Sequence, residues 1–141
     1  MKLIFGEDHL VANWVAKKLS NFDCGSDFGL FIAIGNQHGR KMIAGAVYSN
    51  YRDFDVEFHI ASVSEKWCQK GILSKLLDYP FIQLGCVRMT STIAADDQRT
   101  LRLAKGIGFE IEGLLKKGYD GKKDAIIMGI MKEKAMGWIN G

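Results

Sequence analysis

The feature of the sequence that most constrains its fold is a strand–helix–strand unit within residues 54–94. Residues 54–63 alternate between large apolar side chains and polar or small ones with a period of two, which is typical of a strand. Residues 67–84 carry apolar side chains at helical spacing, and residues 87–94 form a second run of strand length. Strands joined by a crossover helix lie parallel in one sheet, with a right-handed connection. The sequence therefore predicts one parallel strand pair with a helix packed against it.

Most of the remaining sheet is predicted to be antiparallel. Four further apolar runs of strand length are bounded by turn formers: residues 28–34, 41–48, 109–115 and 125–131. The first two precede residues 54–63 at short spacing, which predicts a three-stranded meander with a turn at residues 36–39. The last two predict a hairpin across the loop at residues 118–123. Together these strands predict an α/β fold with a mixed, mostly antiparallel central sheet and a parallel strand pair around a crossover helix.

Two further helices accompany these strands. A short strand at residues 1–5 precedes a helix over residues 6–19, whose apolar side chains recur at helical spacing. A late helix begins after Asp96 or Asp97, either of which can cap it, and ends at Gly108.

Two local features modify these elements. Pro80 is predicted to kink or interrupt the crossover helix. The tail after Lys132 either adds a short helical turn through which Trp138 docks on the body, or it is frayed.

Composition restricts the class of protein. The chain has 141 residues, 48% hydrophobic and 25% charged, with one proline, so residues 1–141 are expected to form a single globular domain. Lys and Arg number 19 and Asp and Glu 16, and the net charge of +3 is too small to predict a nucleic-acid partner. No run approaches the roughly 20 apolar residues of a membrane helix, and the N-terminus lacks a signal-peptide pattern. These features predict a cytoplasmic protein without a membrane partner.

The cysteines predict neither a metal site nor a disulfide. Cys24, Cys68 and Cys86 stand far apart, with no CxxC pair and no histidine at ligand spacing. No metal is therefore expected, and a reducing compartment is the simpler inference. Cys68 lies at the start of the predicted crossover helix without a base nearby in sequence, so it is interpreted as incidental.

Two stretches in the C-terminal two-thirds of the chain carry a family resemblance. One is AADDQRTLRLAKGIGFEIEGLLKKGYDGKKDAIIMGIM, residues 94–131, and the other is SVSEKWCQKGILSKLL, residues 62–77. Together they resemble the GNAT superfamily of acyl-CoA-dependent N-acetyltransferases, in its late helix, closing hairpin and pyrophosphate-binding turn. That turn usually carries Arg or Gln, two variable residues, and then Gly-x-Gly or Gly-x-Ala; these positions are Cys68, Gly71 and Leu73 here. The chain is therefore identified as a divergent member with a degenerate turn.

The resemblance implies acetyl-CoA as the co-substrate. The pyrophosphate of CoA is an anion, and backbone N–H groups at a helix N-terminus can hold such an anion. The turn at the start of the crossover helix supplies these groups from six residues: Gln69, Lys70, Gly71, Ile72, Leu73 and Ser74. The alternative interpretation is an ordinary turn without a ligand.

Other donor contacts are implied by the same resemblance. They involve six residues outside the turn: Ala61, Ser62, Val63, Asp97, Arg99 and Thr100. The first three are implied to polarise the thioester carbonyl through their backbone N–H groups, as an oxyanion hole. The last three are implied to lie near the nucleotide end of CoA. Arg102 and Lys105 are interpreted as part of a solvated helix face.

Acetylation of an amine needs a group that removes a proton from the acceptor. Glu57 and His59 share one face of the predicted strand over residues 54–63, and either could be this general base. The alternative is that both face solvent or a cross-strand partner. The helix tyrosine that many family members use as a general acid falls on Ala104, so Tyr119, another donor or water would protonate the leaving thiolate.

The predicted function is transfer of an acetyl group from acetyl-CoA to a primary amine by direct attack. The sequence leaves the acceptor open among a small amine, a peptide N-terminus and a lysine side chain. A catalytically inactive binding or structural protein with the same fold is the alternative. A homodimer is possible, since the hairpin strands of such folds can pair across a dimer.

Overall fold

The computed structural model describes residues 2–4, 8–18, 32–38, 41–62, 68 and 70–141. This part of the chain contains seven strands and four α-helices: β1 (Lys2–Ile4), α1 (Asp8–Lys18), β2 (Ile32–His38), β3 (Lys41–Ser49), β4 (Glu57–Ser62), α2 (Lys70–Asp78), β5 (Arg88–Ala94), α3 (Gln98–Ile107), β6 (Glu110–Leu115), β7 (Ala125–Met131) and α4 (Lys132–Asn140). The strands form one sheet in the order β1-β2-β3-β4-β5-β7-β6. The pair β4–β5 is parallel and the other pairs are antiparallel. The predicted fold class is confirmed.

The second strand differs from its prediction. The turn expected at residues 36–39 is wrong, because β2 continues through Asn36 and Gln37 to His38. These polar residues are paired on both sides, with β1 and with β3, and ladder hydrogen bonds do not depend on side-chain type. A shift in the β2–β3 register between Asn36 and Gln37 absorbs the irregularity. The first part of that predicted strand, residues 28–31, lies outside the described residues.

Strand β4 begins at Glu57, so the predicted start at residue 54 is wrong. Residues 54–56 still run beside β5, since the Phe54 carbonyl accepts a hydrogen bond from the Val87 N–H at 2.9 Å. The chain is irregular there because the buried Asp55 side chain takes local partners and Asp53 has a left-handed φ of 59°.

Pro80 changes the geometry of the crossover helix as predicted. The α-helix α2 gives way at residue 79 to a π-helical segment, Tyr79–Gln83, in which the Leu84 N–H donates to the Tyr79 carbonyl at 3.0 Å. Proline has no N–H for the α-helical ladder, which favours a wider turn here. The segment ends before Gly85, whose φ of 73° suits a glycine.

The core lies between the sheet and three helices. The connections β4–α2–β5 and β5–α3–β6 advance in the same direction across the sheet, so right-handed crossovers put α2 and α3 on one face. Helix α4 packs against α2, and α1 contacts β2 and β3 on the opposite face. The largest buried side chains of the core are Tyr48, Phe58, Phe81, Met89, Phe109, Met128 and Ile130. The Tyr48 hydroxyl donates to the Leu76 carbonyl at 2.6 Å, so this buried polar group is satisfied.

The closing hairpin leaves one edge strand irregular. The β6–β7 register shifts between Ile111 and Gly113, which makes Glu112 an extra residue on β6. Ile111, Leu114 and Leu115 on this strand are about half exposed.

The tail docks on the body. Helix α4 spans nine residues, and the Trp138 indole N–H donates to the Ile107 carbonyl at 2.6 Å. That carbonyl belongs to the last turn of α3, where helix carbonyls lack an intrahelical partner. The docked alternative is therefore confirmed, and the frayed one is wrong.

Replacing Trp138 by Phe is expected to reduce the free energy of unfolding by about 1 kcal/mol, since one buried hydrogen bond to a helix end is lost. Urea unfolding followed by circular dichroism measures the change. Gly137→Ala is the matched control, because a methyl group there meets no atom within 4 Å and alanine favours a helix by up to about 1 kcal/mol. An unchanged midpoint for Trp138→Phe would contradict the docking role of this bond.

Candidate functional site

The two parallel strands separate after a short junction. Among the described residues, β4 and β5 share one register pair, Glu57 with Thr90, at their amino ends. One position further along, the Phe58 carbonyl accepts a hydrogen bond from the Ser91 hydroxyl at 3.0 Å, where a regular ladder would use a backbone N–H. A gap therefore opens between the strands toward their carboxyl ends, which is the edge where ligands of α/β sheets commonly bind.

The junction is held by a buried carboxylate. Asp55 is 3% exposed, and its side chain accepts hydrogen bonds from the Thr90 hydroxyl and the Arg52 guanidinium, both at 2.9 Å. The Arg88 guanidinium lies 3.6 Å from the same carboxylate and also pairs with Glu112. The hydrogen bond with Glu112 raises the pKa of Arg88 further. These contacts tie the loop before β4 to the start of β5.

A first cavity of about 200 Å³ lies in the gap, on the face that carries α3. Its apolar walls come from both strands, from α3 and from the segment after it: Phe58, Ile60, Ala61, Ile93, Leu103, Ala104, Ile107 and Phe109. Its polar and charged lining residues are Lys18, Ser62, Ser91, Asp97, Arg99 and Thr100. The Arg99 guanidinium donates to the Ser62 hydroxyl at 3.1 Å, which links the start of α3 to the end of β4.

A second cavity of about 510 Å³ adjoins the first at the start of α2. Arg99, Leu103 and Ile107 line both cavities, which are therefore neighbours along α3. Three cations, Lys70, Arg99 and Arg102, line the second cavity, and none of the described residues around it is acidic. Helix α2 begins at Lys70, so its unpaired N–H groups add to the positive potential. This cavity can hold an anion such as a pyrophosphate.

The candidate proton acceptors lie on the other face of the sheet. Glu57 and His59 alternate with Phe58 and Ile60 of the first cavity, and the His59 Nε2 atom is 3.7 Å from a Glu57 carboxylate oxygen. Their predicted sharing of one face is confirmed. The hydrogen bond with His59 lowers the pKa of Glu57, and one from Asn50 adds to this, whereas burial opposes it. Glu57 is therefore a carboxylate at neutral pH.

The backbone of β4 decides which amides face the gap. The N–H and C=O groups of one strand residue point to the same side in a ladder, and those sides alternate along the strand. Because the Phe58 carbonyl points toward β5, the N–H groups of Ile60 and Ser62 do so too, and that of Ala61 points toward β3. Ile60 and Ser62 are thus the candidate oxyanion donors, while Val63 lies outside the described residues.

The structure brings together some of the predicted donor contacts and separates others. The first cavity is lined by Ala61, Ser62, Asp97, Arg99 and Thr100, and the second by Lys70 and Leu73. The remaining residues of the predicted turn are placed as follows: Gly71 is exposed on the first turn of α2, Ile72 and Ser74 are half-buried and line neither cavity, and Gln69 lies outside the described residues. Tyr119 is in the β6–β7 loop and lines neither cavity.

Several cavity residues were not among the predicted contacts. Arg102, interpreted from the sequence as solvated, lines the second cavity together with Cys68 and Trp138, and Ala104 lines the first. Arg102 could have been found from its spacing, since it follows Arg99 by three residues and therefore lies on the same helix face. Trp138 gave no such signal, because its place depends on how α4 packs.

Within the described ranges, no group of three His, Cys, Asp or Glu side chains is arranged to hold a metal ion. No helix in the described residues is long and apolar enough to cross a bilayer.

Solved acetyltransferase structures share this architecture. Spermidine N-acetyltransferase from Vibrio cholerae in complex with CoA and spermine is 17% identical, with a TM-score of 0.71 over 96% of this chain and 97% of that chain. A mutant of the same enzyme is 16% identical, with a TM-score of 0.72 over 96% and 98%. A candidate acetyltransferase from T. thermophilus is 19% identical, with a TM-score of 0.67 over 81% and 65%. No protein-family profile and no curated protein matches the chain.

These similarities establish the fold. The chain has the mixed α/β fold of GNAT acetyltransferases, as the sequence resemblance implied.

The lowered pKa of Glu57 predicts a pH dependence of stability. A carboxylate whose pKa is depressed by folding stabilises the protein above its ordinary pKa of 4.5, and this contribution is lost as the pH falls through the lower folded value. Glu57→Gln should therefore lower the free energy of unfolding more at pH 7 than at pH 3. The side chain is 44% exposed, so the difference stays within about 1 kcal/mol. Urea unfolding at both pH values measures it, and an equal difference at the two would contradict the prediction.

Proposed function

We propose that the protein is an acyl-CoA-dependent N-acyltransferase of the GNAT superfamily, which transfers an acetyl group from acetyl-CoA to a primary amine by direct attack. One observation carries this proposal: a cavity lined by three cations at the start of α2 adjoins a cavity in the gap between β4 and β5. A cytoplasmic location, where acyl-CoA is available, belongs to the proposal.

The donor spans the two cavities. Its phosphates bind at the second cavity to Lys70, Arg99 and Arg102 and to the N–H groups at the start of α2. Its pantetheine arm runs past Leu103 and Ile107, which line both cavities, into the first. The thioester then lies in the strand gap. A similar fold holding CoA and spermine in the enzyme from Vibrio cholerae supports this arrangement.

The acceptor approaches from the face that carries Glu57 and His59. Its nitrogen attacks the thioester carbonyl carbon, and the N–H groups of Ile60 and Ser62 stabilise the oxyanion that forms. His59 takes the proton from the amine, and the Glu57 carboxylate, 3.7 Å from the His59 Nε2 atom, stabilises the resulting imidazolium. The carbon–sulfur bond then breaks and CoA leaves as the thiolate. A thiol of pKa about 8.5 takes its proton from water, which leaves no necessary role for Tyr119.

The acceptor belongs to the class of primary amines. The similar enzymes from Vibrio cholerae are spermidine N-acetyltransferases, which makes spermidine and spermine the first compounds to test. A panel of amines, peptides with free N-termini and lysine peptides, assayed by release of the CoA thiol, tests the reaction.

A second candidate is a donor-binding protein without catalysis. Leu73 in the turn and Ala104 on α3 favour it, since neither matches the residue that the family commonly has there. Binding of acetyl-CoA without turnover of any amine in the panel would support this candidate. Binding of neither CoA nor acetyl-CoA by the folded protein would overturn both.

Gly71→Val is expected to weaken CoA binding without harming the fold. A side chain at this exposed position on the first turn of α2 meets no protein atom within 4 Å, but it obstructs an anion approaching the helix N-terminus. Isothermal titration with CoA should show a loss of about tenfold or more, with an unchanged unfolding midpoint. Gly113→Ala is the matched control, because Gly113 lies on β6, lines neither cavity, and a Cβ atom there meets nothing within 4 Å. Equal affinity in Gly71→Val would count against phosphate binding at this turn.

His59→Gln is expected to lower kcat by about 100-fold to 10,000-fold, as removal of a general base does. The acidic limb of the pH–rate profile should disappear, while the Kd for acetyl-CoA stays the same because His59 lines neither cavity. Glu57→Gln should lower kcat less than His59→Gln does, since Glu57 contacts the imidazole and does not itself take the proton. If Glu57→Gln alone abolishes the limb, the carboxylate and not the imidazole is the base.

A further inference from the structure

We infer that the donor cavity accepts a straight, uncharged acyl chain of about four to six carbon atoms in addition to acetyl. This inference rests on the proposed function and concerns the same site. It follows from the size, the lining and the polarity gradient of the first cavity.

The first cavity is polar at one end and apolar at the other. Asp97, Arg99, Thr100 and Ser62 come from the start of α3 and the end of β4, at the open edge of the gap, and Lys18 at the end of α1 adds a further cation. Further along α3, the lining turns toward the interior of the molecule, where Phe58, Ala104 and Phe109 are buried. An acyl group that points inward from the thioester therefore enters an apolar environment.

The inner end offers no charged partner for an acyl group. The polar side chain there is Ser91, which is 6% exposed, and its hydroxyl donates to the Phe58 carbonyl at 3.0 Å. A buried polar or charged group without a partner is costly. The inner end thus favours hydrocarbon chains over dicarboxylic ones.

The volume exceeds what acetyl needs. An apolar protein cavity of about 150 Å³ accepts a benzene molecule, which has six carbon atoms. The first cavity, at about 200 Å³, is somewhat larger than that, and acetyl contributes only two carbon atoms. Part of the volume is taken by the end of the pantetheine arm, which sets the upper limit of the chain near six carbon atoms.

Ala104 sets the length of this space. It is 7% exposed, lies in the middle of α3 and contributes one methyl group to the cavity wall. A larger side chain at this position would project from the helix into the cavity, opposite the strand residues. Ala104 is therefore the specificity-determining residue for the acyl chain.

Isothermal titration with CoA, acetyl-CoA, butyryl-CoA and hexanoyl-CoA tests the inference without any acceptor. Each buried methylene group is expected to tighten binding by up to about fourfold. The wild-type Kd for hexanoyl-CoA should therefore be at least about tenfold lower than that for acetyl-CoA. Ala104→Leu should remove this preference and weaken binding of hexanoyl-CoA much more than binding of CoA. Ala104→Ser, which nearly keeps the size of the side chain, should retain most of the preference.

The outcomes separate this inference from the proposed function. If the wild type binds CoA but has the same Kd for acetyl-CoA and hexanoyl-CoA, the inference is overturned and the proposed function is not. The inference is also overturned if a folded Ala104→Leu protein still prefers hexanoyl-CoA over acetyl-CoA. If the leucine variant does not fold, Ala104→Val is tested in its place. Binding of no CoA compound overturns the proposed function together with the inference.

Discussion

The parallel strands β4 and β5 are joined at their amino ends and separate toward their carboxyl ends, and the rest of the site depends on this divergence. At the joined end, the buried Asp55 carboxylate is hydrogen-bonded by Thr90 and Arg52 and lies beside Arg88. Removing a hydrogen-bond donor to a buried acceptor costs about 1–3 kcal/mol. The junction is therefore strongly held, and the separation beyond it gives α2 and α3 room to line two adjoining cavities.

Much of the fold could be predicted from local patterns. The residue patterns predicted two strands, β4 and β5, joined by the helix α2. Two strands joined by one crossover helix lie parallel in a sheet, and the structure shows this parallel pair. The sequence also predicted Asp97 as a cap of α3 and Gly108 as its end. In the structure, the Thr100 N–H donates to the Asp97 carboxylate, and Gly108 has a φ of 125°. The same alternation brought Glu57 and His59 together. These features depend on neighbours in sequence.

The remainder depends on contacts between distant segments. The start of β4 could not be read because the partners of Asp55 include Thr90, 35 residues later. The direction of the strand amides needed the contact between Ser91 and Phe58, which shows that the Ile60 N–H points toward the gap and the Ala61 N–H toward β3. Cavity walls formed by Trp138 and Ala104 likewise depend on how helices pack, which no periodicity encodes. Sequence reasoning therefore found the elements of the site more readily than its lining.

The irregular strand β6 has a consequence for association with other chains. It forms an edge of the sheet, and a partner strand could in principle extend the ladder there. The bulge at Glu112 twists the edge strand and interrupts its series of backbone N–H and C=O groups. An added strand could therefore pair only with the short segments on either side of the bulge. Any partner at this hairpin must instead use side chains such as Ile111, Leu114 and Leu115. The bulge thus disfavours open-ended stacking of sheets while leaving an apolar surface available for a closed, specific contact.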